Sequence, residues 1–309
     1  MRIWASSDLH TDYPDNRTLI ASLSDHEFLR DALIVAGDVS DHLDTLAWTL
    51  NTLAKKFAKV FFCVGNHELW FRKDTEVGTS IDKLAAIGKV CSAEGVLMQA
   101  AMAGEVRVVP LHSWYHPEWD READIPGATP IDKLMVDFKL CRWPPGLSAL
   151  NESLARFMDG LNDPSSSPLP GEASATITFS HFVPRQELLP EKRMLFHPNL
   201  AKASGSTFIE ARIRSLKPIA HVFGHTHFHW DSMIEGVRYV QRSIGYPEER
   251  KRRGDAQGVM MPMLLFDPAH GGLTPPQPAY WSDYYARTRR DPNNIQPAPW
   301  VTQYWDRSR

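Results

Sequence analysis

Five short apolar runs, each broken off by residues of metal-binding type, restrict the fold of this chain more than any other feature of its sequence. They span 3–5, 32–36, 60–64, 175–179 and 219–223. Unbroken apolar runs of this length suit strands covered on both faces. Behind them, in order, come Asp8 and His10; Gly37-Asp38; Gly65-Asn66-His67-Glu68; Ser180-His181; and Gly224-His225-Thr226-His227. In open α/β sheets, ligands bind beyond the carboxyl ends of the strands. Parallel neighbouring strands would therefore carry all five clusters to one edge of a sheet.

Amphipathic patterns separate some of the runs. Residues 41–57 place Leu43, Leu46, Leu50, Leu53 and Phe57 on one stripe, with Asp41 or a neighbour as cap, and 81–91 and 150–161 read as helices too. A fourth helix, 207–216, opens with Thr207 and Glu210 at capping-box spacing. Further strands are expected at 106–109 and 263–266. Strands alternating with helices define an α/β layered fold. Segment 114–130 reads as irregular, and 162–172 as a flexible surface loop. Residues 1–267 form the expected catalytic domain. Residues 268–309, rich in proline and aromatics, form an arm packed on it.

The polar clusters carry the chemistry. Carboxylate, imidazole and amide oxygen are the mixed donors of Mn, Fe or Zn, not the thiolates of a structural zinc. So many donors exceed what one ion takes. With one carboxylate bridging, seven residues serve two divalent ions about 3.5–4 Å apart. Gly37, Gly65 and Gly224 each permit a sharp turn or a close backbone approach just before a ligand.

Read in order, the clusters are D-x-H at Asp8 and His10, G-D-x-x-D from Gly37 through Asp38 to Asp41, G-N-H-E from Gly65 to Glu68, a lone His181, and G-H-x-H from Gly224 to His227. This ordered set, spread over residues 8–227, resembles the calcineurin-like metallophosphoesterases. The resemblance implies a two-sheet β-sandwich flanked by helices, a four-layer α/β/β/α fold. It implies one metal held by Asp8, His10, Asp38 and His227, and another by Asp38, Asn66, His181 and His225. It makes His67 the acid that protonates the leaving oxygen and Asp41 the carboxylate that orients it. The implied reaction is hydrolysis of a small-molecule phosphomonoester or phosphodiester by in-line attack of a metal-bridging hydroxide. His42 stands where the phosphoprotein phosphatases carry arginine, which points to the broader G-H-x-H branch. No tyrosine precedes the Asp38 ligand run, which argues against an Fe(III)–tyrosinate site.

Substrate contacts are expected at Arg185, four residues past His181, and at His112, which follows the strand at 106–109. The basic run 250–253 reads as a solvated face, and Glu68 equally as an outer support or a surface acid. His221 and His229 read as structural or exposed. A net charge of -3 and the lack of a long basic stripe argue against a nuclease on the same fold. The complete ligand set argues against a non-catalytic scaffold. No run is long enough to span a bilayer, and the N-terminus lacks a signal-peptide layout. The three cysteines include no C-x-x-C pair, and Cys63 sits within a core run, so a reducing, cytoplasmic setting is expected.

Overall fold

The first three apolar runs split their side chains by parity between two different cores. The computed structural model of the chain describes residues 1–72, 78–162, 173–253 and 262–308. In it the runs become β1 (Ile3–Ser6), β2 (Ala32–Ala36), β3 (Lys59–Cys63), β6 (Ala175–Phe179) and β7 (Ala220–Phe223). Ile3, Ala5, Ile34, Phe61 and Cys63 point into a core shared with Val108, Ile177, Phe179 and Val222. Their neighbours Trp4, Leu33, Val35, Val60 and Phe62 face a second core, built with the helices. Side chains alternate across a strand, so a strand covered on both faces must be apolar at every position.

The strands form two mixed sheets. One has the order β11-β10-β1-β2-β3, with β1, β2 and β3 parallel, and with β10 (Met263–Asp267) and β11 (Gly272–Leu273) antiparallel at the edge. The other has the order β4-β5-β6-β7-β9-β8. Here β5 (Val106–Pro110), β6, β7 and β9 (Val237–Gln241) run parallel, while β4 (Ala101–Ala103) and β8 (Trp230–Ile234) are antiparallel edges. The sheets stack face to face and helices cover their outer faces, giving an α/β/β/α sandwich. The five clusters thus meet at the common edge of two sheets, not at the edge of one. Beyond β9 the chain crosses between the sheets: Ser7 and Ser243 form a parallel bridge, and the amides of Ile244 and Gly245 donate to the carbonyls of Ser7 and Asp8 at 3.0 Å.

The four expected helices are present as Leu43–Lys56, Ser80–Ala93, Glu152–Gly160 and Thr207–Leu216. Their caps differ from expectation. The first is preceded by His42 with no side-chain cap, because the Asp41 carboxylate is engaged elsewhere. The last is capped by Ser206, whose extended backbone lets its side chain accept from the Phe208 amide. Thr207 already lies inside that helix. The capping box belongs instead to Thr79 and Asp82, ahead of Ser80–Ala93. Residues 163–172 of the expected surface loop lie outside the described residues. The boundary at 267 falls within the β10–β11 hairpin. Past it, the helix Tyr280–Tyr285 packs on β8: Tyr285 stacks on Trp230, and Ser282 accepts from the Asp231 amide at 2.7 Å. The helix Pro299–Ser308 adds Val301 to a small core with Met194 and Ala298. Among the described residues, no helix is long and apolar enough to cross a membrane.

Candidate metal centre

The loops leaving β1, β2, β3, β6 and β7 bring seven predicted ligands into contact. Donor atoms of Asp8, His10, Asp38 and His227 lie within 4.8 Å of one another, and so do those of Asp38, His181 and His225. Asp38 belongs to both groups. The Asn66 Oδ1 joins the second, 3.2 Å from His181 Nε2 and 3.0 Å from His225 Nδ1. His10 and His227 turn their Nε2 atoms toward each other at 3.0 Å, and His227 Nε2 is 3.6 Å from Asp8 Oδ1.

Backbone conformation aims these groups, at a cost. Asp8, His10, Asp38, His225 and His227 all have positive φ, between 43° and 76°. Non-glycine residues in such conformations cost on the order of 1–3 kcal/mol each, and they cluster at functional sites. The neighbouring glycines leave no room for a side chain. A Cβ at Gly37 would stand 2.5 Å from His181 Nδ1, and one at Gly65 would overlap the Asp38 carboxylate.

An outer layer of hydrogen bonds selects which atom of each ligand faces inward. Ala36 O holds His181 Nδ1 at 2.9 Å, which frees Nε2. Ala203 O holds His225 Nε2 at 2.8 Å, which turns Nδ1 inward. Glu249 Oε2 holds His227 Nδ1 at 2.7 Å. Asn66 donates its Nδ2 to Asp137 at 2.9 Å, so its oxygen must face the site. Asp137 also accepts from Trp70 Nε1 at 2.6 Å and from the Tyr115 hydroxyl at 2.9 Å. Glu68, read from sequence as equally a support or a surface acid, is fully buried. Its carboxylate accepts from the amides of Asp38, Val39, Ser40 and Gly65, between 2.5 and 3.1 Å. It therefore ties the loop after β2 to the loop after β3.

Charge in this pocket is crowded. Burial pulls His225 down to about 3 and His67 down to about 4. At His181 burial acts the same way, but the Asp38 carboxylate overrides it and lifts the ring to about 9. Burial also pushes the Asp8 carboxyl up, whereas Asp38 ends well below the usual range because His181 and His67 face it against the pull of burial. Two acids and five imidazoles in so dry a space cannot all keep their ordinary charge. A divalent cation in place of the shared protons fits this donor set, which is nitrogen and oxygen throughout with no thiolate.

The remaining candidates are placed differently. His67 lies over the site: its ring centroid is 3.6 Å from that of Trp70, and its Nε2 is 3.7 Å from Asp38 Oδ2. The Asp41 carboxylate binds Arg72 and, at 3.3 Å, His42; it makes no hydrogen bond to His67. Arg185 is spent on Glu235 at 2.9 Å, Glu187 at 3.0 Å and Glu210 at 3.5 Å, and lines a separate cleft of about 340 Å³. Three carboxylates leave it no charge with which to clamp a phosphate. His112 joins neither ligand group; its backbone exchanges hydrogen bonds with the Asn162 side chain, and from that strand end it is Tyr115 that stacks on His225. Arg250 does not belong to a solvated face, since it is buried and donates to Asn16 Oδ1 at 2.6 Å.

Sequence reasoning missed Tyr246. Its ring lies 4.5 Å from that of His10 and 4.8 Å from that of His227, and its hydroxyl is 3.4 Å from His67 Nε2. It arrives at the site on the crossing that follows β9. The alternation of Val237-Arg238-Tyr239-Val240-Gln241 was the available signal for that strand.

Against this geometry, comparison with known proteins identifies the class. The profile of the calcineurin-like phosphoesterases matches residues 1–229, and the chain belongs to that family. It is a metal-dependent phosphoester hydrolase, of a family that uses divalent metals. The chain is 26% identical over 317 residues to the [acyl-carrier-protein] phosphodiesterase PptH of Mycobacterium tuberculosis, an alignment covering 91% of this chain and 87% of that protein. The crystal structure of the same phosphopantetheinyl hydrolase superposes with a TM-score of 0.67 at 25% identity, over 86% of this chain and 96% of the other.

Proposed function

We propose that the chain is a two-metal phosphodiesterase that releases a phosphopantetheinyl group from a carrier protein. The observation that carries the metal count is the shared Asp38, which belongs to both donor groups while Asn66 completes the second. The substrate rests on likeness to PptH, which extends through most of both chains. This reading replaces a small-molecule ester with a protein-borne one.

In it, Asp8, His10, Asp38 and His227 would hold one cation, and Asp38, Asn66, His181 and His225 would hold the other. When bound, such a pair supplies Lewis acidity and neutralises phosphoryl charge. The protein's own groups do the rest. His67, whose ring packs against that of Trp70, would present Nε2 to the leaving oxygen on the carrier side of the ester. To act as an acid the ring must first take a proton on Nε2 from water; burial opposes this, and an anionic diester seated beside it favours it, after which the proton passes to the leaving oxygen and the ring returns to neutral. The Tyr246 hydroxyl, within reach of the same Nε2, steadies that proton or the oxygen that receives it. Asp41 acts on His67 at most through its field, since its carboxylate is bound to Arg72 and His42.

The test is incubation of a phosphopantetheinylated carrier protein with enzyme supplied in turn with Mn, Fe, Zn and Mg, with the carrier followed by intact-mass spectrometry. Loss of the phosphopantetheinyl mass in the presence of at least one metal is expected. No loss with any of the four, alongside cleavage of simple diesters, would reject the substrate assignment and leave the hydrolase standing.

A further inference from the structure

A concavity beside the metal centre is not used by any step above. It is a cleft of about 640 Å³, within the usual range for sites that take an organic ligand. His227, a member of one donor group, and its partner Glu249 are part of its lining, so the cleft adjoins the metal centre. Phe196, Phe228, Tyr280 and Trp281 form its walls, and Arg252 of the helix Pro247–Arg253 stands at its side. Two of these aromatics, Phe196 at 48% and Tyr280 at 71%, are among the most exposed large apolar side chains described. Aromatic surface left open around a concavity marks a place where something apolar is meant to lie.

We propose that this cleft holds the pantetheine arm of the diester while the phosphorus sits at the metal centre; the inference rests on the phosphodiesterase reading above. The arm is a narrow chain with a branched hydrocarbon segment and two amides, and it leaves the phosphate on the side away from the carrier. A chain of that shape can follow a concavity outward from His227. A folded carrier protein cannot enter it and must meet the enzyme at the rim. The aromatic walls suit the hydrocarbon segment and the faces of the amides, and Arg252 offers a donor to an amide oxygen. The wall at 278–281 comes from the C-terminal segment, outside the 1–229 match to the family, so this chain adds specificity where the general phosphoesterase motif ends.

The experiment compares two competing anions in the hydrolysis of methyl 4-nitrophenyl phosphate, a diester without an extended arm. They are free 4′-phosphopantetheine and methyl phosphate. Wild-type enzyme should bind phosphopantetheine at least about tenfold more tightly, and that ratio should fall to within about twofold in Tyr280→Ala and Phe196→Ala, truncations of exposed rings that leave the core intact. A ratio preserved in both variants overturns the cleft assignment. So does a wild-type ratio near one, even if the carrier protein is cleaved, in which case the substrate reading survives alone. A high ratio that collapses in the variants, with no cleavage of the carrier, supports the cleft and overturns the carrier as substrate.

Discussion

Replacing Glu68 by glutamine tests whether one buried carboxylate holds the metal loops in place. The substitution keeps size and shape and exchanges one oxygen for an NH₂ group. In the native protein Oε1 accepts from the amides of Val39 and Ser40, and Oε2 from those of Asp38 and Gly65. Whichever way the amide is turned, two backbone N–H groups then face a donor. Burial pushes the Glu68 carboxyl up to about 7, so the comparison belongs at about pH 8.5, where it is ionised; each lost hydrogen bond to the charged acceptor is then worth ~1.5–3 kcal/mol, and the pair costs roughly 3–6 kcal/mol. Against a typical total of about 5–15 kcal/mol, that is a large share of the protein's stability. The damage also falls where it matters, because three of the four donors belong to the loop that holds Asp38 at a positive φ. Urea unfolding in the presence of EDTA isolates this effect from metal binding, and metal content is measured separately by plasma spectrometry. The expected result is a lower midpoint with an unchanged slope, together with reduced metal occupancy. An unchanged midpoint with full occupancy would refute the claim that Glu68 locks the two loops together.

Other substitutions separate the remaining roles. His67→Ala should retain the metal content of the wild type but lose about 10²–10⁴-fold in turnover, the range for a positioned acid; a metal-free variant would show that His67 supports the site instead. Tyr246→Phe should lower kcat with little change in metal content and should shift the pH profile of kcat, since among the described residues the hydroxyl meets His67 Nε2; an unaltered profile would leave the hydroxyl without a part in the reaction. EDTA should abolish activity and lower the thermal midpoint, and an added divalent metal should restore both. Burial holds His221 down to about 3, with its ring between the hydroxyls of Thr178 and Ser180. An unfolded histidine titrates near ~6.5, so the unfolded chain takes the proton first and stability is lost as pH falls from there toward 3. At pH 5.5 this amounts to about 1.4 kcal/mol, and His221→Gln should lose that much less than wild type between pH 7.5 and 5.5 in urea titrations.

How much of this was legible in the sequence follows from which forces leave local marks. Strands covered on both faces need unbroken apolar runs, and ligand loops need their glycines and donors next to one another, so the donor clusters could be found from linear order, and the family resemblance picked the seven ligands out of them. Elements with only one buried face, or hardly any, left weaker traces. The helix Pro14–Ser22 buries little besides Asn16 and Ile20 and shows no apolar stripe. The β8–β9 hairpin turns at Glu235-Gly236, both with positive φ, a signal that depends on two residues. Missing β9 meant missing the crossing that puts Tyr246 above His10. The ion pairs were least legible of all. Arg185 and Asp41 sit at the expected places in the sequence, but Glu187, Glu210 and Glu235 reach the first, and Arg72 and His42 the second, from partners that spacing alone did not select. A ligand next to a strand end is specified by the backbone that carries it, whereas the partner of a long charged side chain is decided by whatever the rest of the fold brings within its reach. For that reason the metal-type donors could be named before the fold was known, and the substrate contacts could not.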